Sequence, residues 1–289
     1  MIHEATSTFE PIVSAAAYWR DLLMRVRYRM ASPHASQLLK RNQELHNRHA
    51  DRKRCFVVGN GPSLKNQDLK PLKDEVTIVA NSFVQHPDHA LISPQYYCVG
   101  DPAFVADDPN CIAWLRQIEQ RLPKTNLFFL TVGESLFRRH SLFKSHNVYY
   151  VDRVYLARHE RHVRIDFTRP LNVGHSTGSS MAIPLALYLG FREIYLIGFD
   201  ANWLGSLNQS SVHFYDTNPH YPQFDKPLVA GETMEENIRT TLAEFKSHRL
   251  LYNKALLMGS KIFNATSGGW LDMYPRVRYE DLFGGDRQS

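Results

Sequence analysis

From residue 54 onward the chain is punctuated by seven short, almost unbroken apolar runs: CFVVGN (55–60), VTIVAN (76–81), YYCVGD (96–101), NLFFLTVG (126–133), NVYYVD (147–152), EIYLIGFD (193–200) and KIFNAT (261–266). A strand with one wet face alternates apolar and polar residues, whereas a run apolar at every position has both faces covered. Stretches with helical periodicity lie between the runs, among them IAWLRQIEQRL, TGSSMAIPLALYLG and TMEENIRTTLAEFKSHRLLYNKALLMG. Doubly buried strands joined by helices specify an α/β chain: a Rossmann-like, mostly parallel sheet with helices on both faces. An apolar share of 43% over 289 residues supplies the core that this architecture needs.

Residues 1–53 read as an N-terminal helical extension and 54–289 as one α/β domain. Within the extension, AAAYWRDLLMRVRYRM puts Leu22, Leu23, Val26 and Met30 at helical spacing, and SPHAS breaks the pattern. Basic residues crowd the stretch from Arg20 to Arg54, opposed only by Asp21, Glu44 and Asp51. Such a helix either rests on an anionic lipid surface or acidic glycan, or is a solvated peripheral element. No nucleic-acid-reading motif accompanies the charge, which argues against a nucleic-acid partner. No apolar stretch approaches the roughly 18 residues of a membrane span, and the N-terminus lacks the pattern of a signal peptide. Cys55, Cys98 and Cys111 have no metal-binding spacing and suit reduced, buried thiols. The expected location is therefore the cytoplasm, with contact at the inner membrane face compatible with the basic helix.

Several of the apolar runs end in small or polar residues: Gly59-Asn60, Asn81, Gly100-Asp101, Gly198 with Asp200, and Asn264 with Thr266. Open parallel sheets bind ligands beyond the carboxyl ends of their strands, so these residues mark one candidate edge. FVVGNGPSL (56–64) is its clearest part. Gly59 and Gly61 allow a ligand to approach the backbone, and Pro62 suits a first helical turn. Ser63 and the free N–H groups there can face an anion or ribose, while Asn60 both donates and accepts. The stretch reads as a nucleotide-binding turn. Leu64 stands where a dinucleotide fingerprint needs its third glycine, and the lysine of a P-loop is missing. A second such turn, HSTGSS (175–180), opens the helix that leads to the strand ending at Asp200. The polar segment at about 201–232 then reads as a lid, and it carries His213, Tyr215, Asp216, His220, Tyr221 and Asp225.

FVVGNGPSL, VANSF, GDPAF and TGSSMAIPLALYLGFREIYLIGFD resemble the motifs of bacterial sialyltransferases of glycosyltransferase family 42. They equally resemble the related MptE-like domains, which include the central domain of flagellin-modifying Maf proteins. The likeness runs over about residues 54–270. It implies a Rossmann-like nucleotide-sugar-binding catalytic domain under a lid, and inverting transfer of a sialic acid or related ulosonic acid from a CMP-activated donor without a metal or other cofactor. Carried over by motif, Asn60, Gly61 and Ser63 contact the donor phosphate and ribose, with Gly59 beside them. Asn81 and Asp101 sit by ribose and sugar, and Ser176, Thr177, Gly178 and Ser179 lie near the base and the donor carboxylate, with Asp200 at the same edge. Tyr215 and Tyr221 would bind the leaving phosphate, and His213 or His220 would act as the base. Asp101 stands where the family has asparagine, and His175 where it has arginine. The implied acceptor is a glycan or lipid-linked glycan, and a homo-oligomer is compatible with the sequence. The rival implied by the MptE-like proteins is pyrophosphoryl transfer from ATP to a pterin alcohol, which needs Mg²⁺ and carboxylates such as Asp101 and Asp200.

Overall fold

The computed structural model describes residues 33–155, 163–174, 176–206, 213–214 and 233–283. Nine strands are present among them: β1 (Arg54–Val58), β2 (Thr77–Ala80), β3 (Tyr96–Val99), β4 (Asn126–Leu130), β5 (Val148–Val151), β6 (Arg153–Tyr155), β7 (Leu171–Val173), β8 (Glu193–Ile197) and β9 (Lys261–Asn264). The main sheet runs β5-β4-β3-β2-β1-β8-β9, and β6 and β7 form a separate pair. Every pairing is parallel. The α-helices are α1 (Pro33–Lys40), α2 (His89–Ile92), α3 (Pro109–Arg121), α4 (Glu134–Arg139), α5 (Ile183–Tyr188) and α6 (Met234–Leu257).

The runs are apolar throughout because successive residues enter opposite cores. Cys55, Val57, Ile78, Cys98, Phe128, Ile194 and Leu196 point to one face, where α5 and the C-terminal half of α6 pack through Leu185, Leu187, Leu251 and Ala255. Phe56, Val58, Val79, Val99, Phe129 and Ile197 point to the other, which α3 and α4 cover with Trp114, Leu115, Ile118, Leu136 and Phe137. Asp108 starts α3 by accepting the N–H groups of Asn110 and Cys111, both at 3.0 Å, and Pro109 fills its first turn. All three cysteines are buried, and burial raises the thiol pKa of Cys55 and Cys98. No helix among the described residues is long and apolar enough to cross a membrane.

The chain builds outward from β1 through β5, then returns to place β8 against the other side of β1. Phe56 is in register with Thr77 on β2 and with Tyr195 on β8. The loops leaving β1 and β8 therefore diverge, and the crevice between them is the topological switch point where such sheets bind ligands.

Within SPHAS, where the helical pattern is expected to break, Pro33 opens α1, because a proline in a first turn forfeits no hydrogen bond; the residues before it lie outside the described ones. Of the extension expected over 1–53, the described residues from 39 onward pack against the sheet. Leu39, Asn42 and Leu45 are fully buried. Asn42 donates to the carbonyls of Tyr150 and Phe167 at 2.7 and 2.8 Å. The N–H groups of Asn47 and His49 reach the carbonyls of Tyr188 and Leu189. Part of the basic excess is neutralised internally, since Arg41 pairs with Glu44, Lys53 with Glu193 and Arg54 with Glu75. The rest of the expected basic helix, residues 20–32, lies outside the described residues.

Candidate functional site

At the switch point lies a cavity of about 180 Å³. The β1 exit contributes Gly59, Asn60 and Gly61, and the end of β2 contributes Ala80 and Asn81. Ser176, Thr177 and Gly178 come from the entry to the helix before β8. Gly198 to Trp203 follow β8, and His213, Glu244 and His248 complete the lining. Six separated segments of sequence thus meet around one space.

Its amide and hydroxyl groups are held in place by hydrogen bonds to the backbone and to other side chains. Asn60 Nδ2 donates to the Ala80 carbonyl at 2.8 Å. A carbonyl only accepts, so the amide nitrogen is fixed there and Asn60 Oδ1 is left as a buried acceptor with no partner among the described residues. Thr177 Oγ1 donates to Asn81 Oδ1 at 3.1 Å, which ties the second wall to the end of β2. Asn81 and Ala201 both adopt positive φ, 46° and 51°. For alanine this conformation is strained, and such strain gathers at functional sites. Gly178–Ala182 form a π-helical turn, a feature also frequent at such sites. Phe214 N–H donates to the Asn60 carbonyl at 3.0 Å, which brings the neighbouring His213 to the cavity.

Two carboxylates belong to the site, and both are engaged by neighbouring side chains. Asp200 accepts the Ser63 N–H at 3.2 Å and the Ser63 hydroxyl at 2.8 Å. Burial raises its pKa, against the lowering effect of the Ser63 bonds. Glu244 is 2% exposed. It accepts the Ser176 N–H at 3.2 Å and the Ser176 hydroxyl, and lies 3.2 Å from His248 Nε2. Burial pushes its carboxyl up, but His248 and the hydroxyls of Ser176 and Ser179 outweigh this and bring it to about 2. Tyr274 is hydrogen-bonded to His248 Nδ1 at 3.0 Å on the far side. With both ring nitrogens engaged, His248 orients Glu244 and is not placed to take a proton from a ligand.

This geometry changes the meaning of the first turn. A ligand was expected to approach the backbone at Gly61, yet a Cβ there would stand 1.7 Å from Asp200 Oδ2. The protein's own carboxylate fills the space, and it also takes the Ser63 N–H and hydroxyl expected to face a ligand anion. Ser179 is fully buried, with its N–H donating to Ser176 Oγ at 3.2 Å. It supports the second turn from behind. Asp101 is not among the residues lining the cavity. His175, Tyr215, His220 and Tyr221 lie outside the described residues.

Sequence reasoning missed Glu244 and His248. The signal was available: Asn237, Thr241, Glu244 and His248 follow helical spacing, and all four are buried. Among the described residues, no group of three His, Cys, Asp or Glu is placed to hold a metal ion.

The sequence family described as 6-hydroxymethylpterin diphosphokinase MptE-like matches residues 30–205. The chain belongs to this MptE-like family. The match begins before α1, in keeping with the packing of residues 39–49 into the sheet. No curated protein matches the chain. Among solved structures, the Maf glycosyltransferase from Magnetospirillum magneticum AMB-1 is similar over 80% of this chain and 34% of its own, at 20% identity and a TM-score of 0.49. The chain thus spans about a third of that protein's length. The sialyltransferase CstII from Campylobacter jejuni, in complex with cytidine-5'-monophosphate, is similar over 78% of this chain and 85% of its own, at 14% identity and a TM-score of 0.45. Its complex with CMP-3FNeuAc gives 78% and 86%, at 15% identity and a TM-score of 0.43.

Proposed function

We propose that the chain is an inverting, metal-independent glycosyltransferase. It moves a sialic-acid-like or other nonulosonic or ulosonic acid from a CMP-activated donor to a glycan or lipid-linked glycan acceptor. The observation that carries this reading is the unpartnered Asn60 Oδ1 at a switch-point cavity whose other walls present Asn81, Ser176 and Thr177. Amides and hydroxyls in that arrangement suit the hydroxyl groups of a nucleoside and a sugar. Four of the segments that line the cavity carry motifs that resemble those of family 42 sialyltransferases.

In the proposed reaction the acceptor hydroxyl oxygen forms a bond to the anomeric carbon. The bond from that carbon to the phosphate oxygen breaks, and CMP leaves with the electron pair. The acceptor proton passes to a histidine, for which His213 at the cavity is the candidate among the described residues and His220 the other. An imidazole suits that step near neutral pH. Tyr215 and Tyr221 are the proposed donors to the leaving phosphate.

The family description favours a second reading, Mg²⁺-dependent pyrophosphoryl transfer from ATP to a pterin alcohol. Magnesium takes carboxylate oxygens together with phosphate oxygens. The described residues fit it poorly, because Asp200 and Glu244 are already bonded to Ser63, Ser176 and His248, and Asp101 lies off the cavity.

The test is CMP release from a CMP-activated nonulosonic acid in the presence of EDTA. His213→Ala is expected to lower turnover at least about a hundredfold while CMP binding survives. Full turnover in that variant would remove His213 as the base. Formation of AMP from ATP, dependent on Mg²⁺ and a pterin alcohol, would overturn the transferase reading.

A further inference from the structure

The loop after β9 holds an indole in solvent at the edge of the cavity. Trp270 is 50% exposed, although its loop is tightly fixed. The Trp270 backbone N–H donates to the Asp200 carbonyl at 2.7 Å. Gly269, at φ +77°, lets the backbone approach so closely that a Cβ there would meet that carbonyl oxygen at 2.5 Å. The Arg276 guanidinium donates to the carbonyls of Gly268 and Gly269 at 2.6 and 2.8 Å, and Asn264 Nδ2 donates to the Leu271 carbonyl at 2.7 Å. The indole packs on Gly205, where a Cβ would come within 2.8 Å of its ring carbons. Gly205 shares a short helical turn with Trp203, and both Trp203 and Asp200 line the cavity.

A large aromatic surface kept in water next to a polar cavity, on a loop with no freedom to bury it, offers a flat face to a ligand held at the cavity edge. A pyranose ring has an apolar face of C–H groups and a rim of hydroxyls. The indole matches the first, and the exposed Ser267 and Asp272 on the same loop can bond the second. We propose that Trp270 is a stacking platform for a pyranose ring of the acceptor, at the edge of the switch-point cavity. The inference deepens the glycosyltransferase reading and rests on it.

Saturation-transfer NMR of the full chain with methyl β-galactopyranoside, methyl β-glucopyranoside and methyl α-mannopyranoside tests it, with the CMP-induced melting shift measured on the same samples. The wild type and Trp270→Phe are expected to saturate the ring protons of at least one glycoside. Trp270→Ala and Trp270→Leu are expected to bind it about tenfold more weakly or worse, with the CMP shift unchanged. Leucine still covers Gly205 without offering a flat aromatic face, so it carries the comparison if the alanine variant does not fold. Equal binding in Trp270→Leu overturns the platform, as does a wild type that responds to CMP but to none of the glycosides. Glycoside binding lost in Trp270→Leu, in a protein that does not respond to CMP, supports the platform and removes the CMP-donor reading.

Discussion

The pairing of Gly61 with Asp200 shows how one residue's chemistry is settled by another far along the chain. Ser63 and Asp200 are 137 residues apart, yet the Asp200 carboxylate sits in the space that the missing side chain of Gly61 leaves. Sequence alone identifies a glycine that needs room, but not what occupies the room. That is why FVVGNGPSL could be read as a turn at the ligand edge while the purpose of its second glycine and its serine could not. Asn60, placed at that edge by its position after an apolar run, does line the cavity. Gly61→Ala must push the carboxylate away from both Ser63 donors and leave buried polar groups unpaired. We expect a loss of roughly 3 kcal/mol in urea unfolding, with the CMP response abolished. A loss below about 0.5 kcal/mol would show that Asp200 does not hold this turn.

At the scale of elements, strands were easier to read than helices. The seven apolar runs correspond to β1 to β5, β8 and β9, because burial on both faces leaves an unmistakable composition. The β6–β7 pair went unseen, since Arg153 and Asn172 interrupt segments of three residues each. In α6 the usual pattern is inverted over the first half. Met234, Ile238 and Leu242 are 55%, 52% and 68% exposed, while Asn237, Thr241, Glu244 and His248 are buried. Apolar periodicity therefore points away from the buried side, and local rules of this kind fail most often where a site must be built. Because Glu244 has a lower pKa folded than unfolded, the unfolded chain takes up its proton first. The stability this carboxylate provides is complete above its ordinary value of 4.5 and disappears as pH falls towards 2. Glu244→Gln should cost roughly 3 kcal/mol near neutral pH, and the gap from wild type should narrow across that acid window. A gap that stays constant with pH would mean that the charge on Glu244 contributes nothing.

For the molecule as a whole, the strand order decides where chemistry can happen. Only the β1 and β8 exits diverge at the switch point, so motifs separated by well over a hundred residues converge there. The sequence indicated the edge of the sheet but not which strand ends meet. Asp101, at the end of β3, belongs to the same edge and lies off the cavity, because β2 stands between β3 and the switch point. The acid response of the whole chain follows from its buried bases as well. Burial lowers the pKa of His49 and His86 below the ordinary 6.5. Both therefore add to stability above that value and withdraw it as pH falls through their folded-state values.

The measurement that bears most directly on the central claim is a melting-temperature comparison of CMP, UDP, GDP and ATP, each with EDTA and with Mg²⁺, on the wild type and on Asn60→Ala. A ligand at a hundred times its Kd adds about 2.7 kcal/mol, which corresponds to a rise of roughly 5–10 °C. We predict that rise for CMP in EDTA, with no further gain from Mg²⁺ and its loss in Asn60→Ala. A shift produced only by ATP with Mg²⁺, and unaffected by Asn60→Ala, would contradict the account.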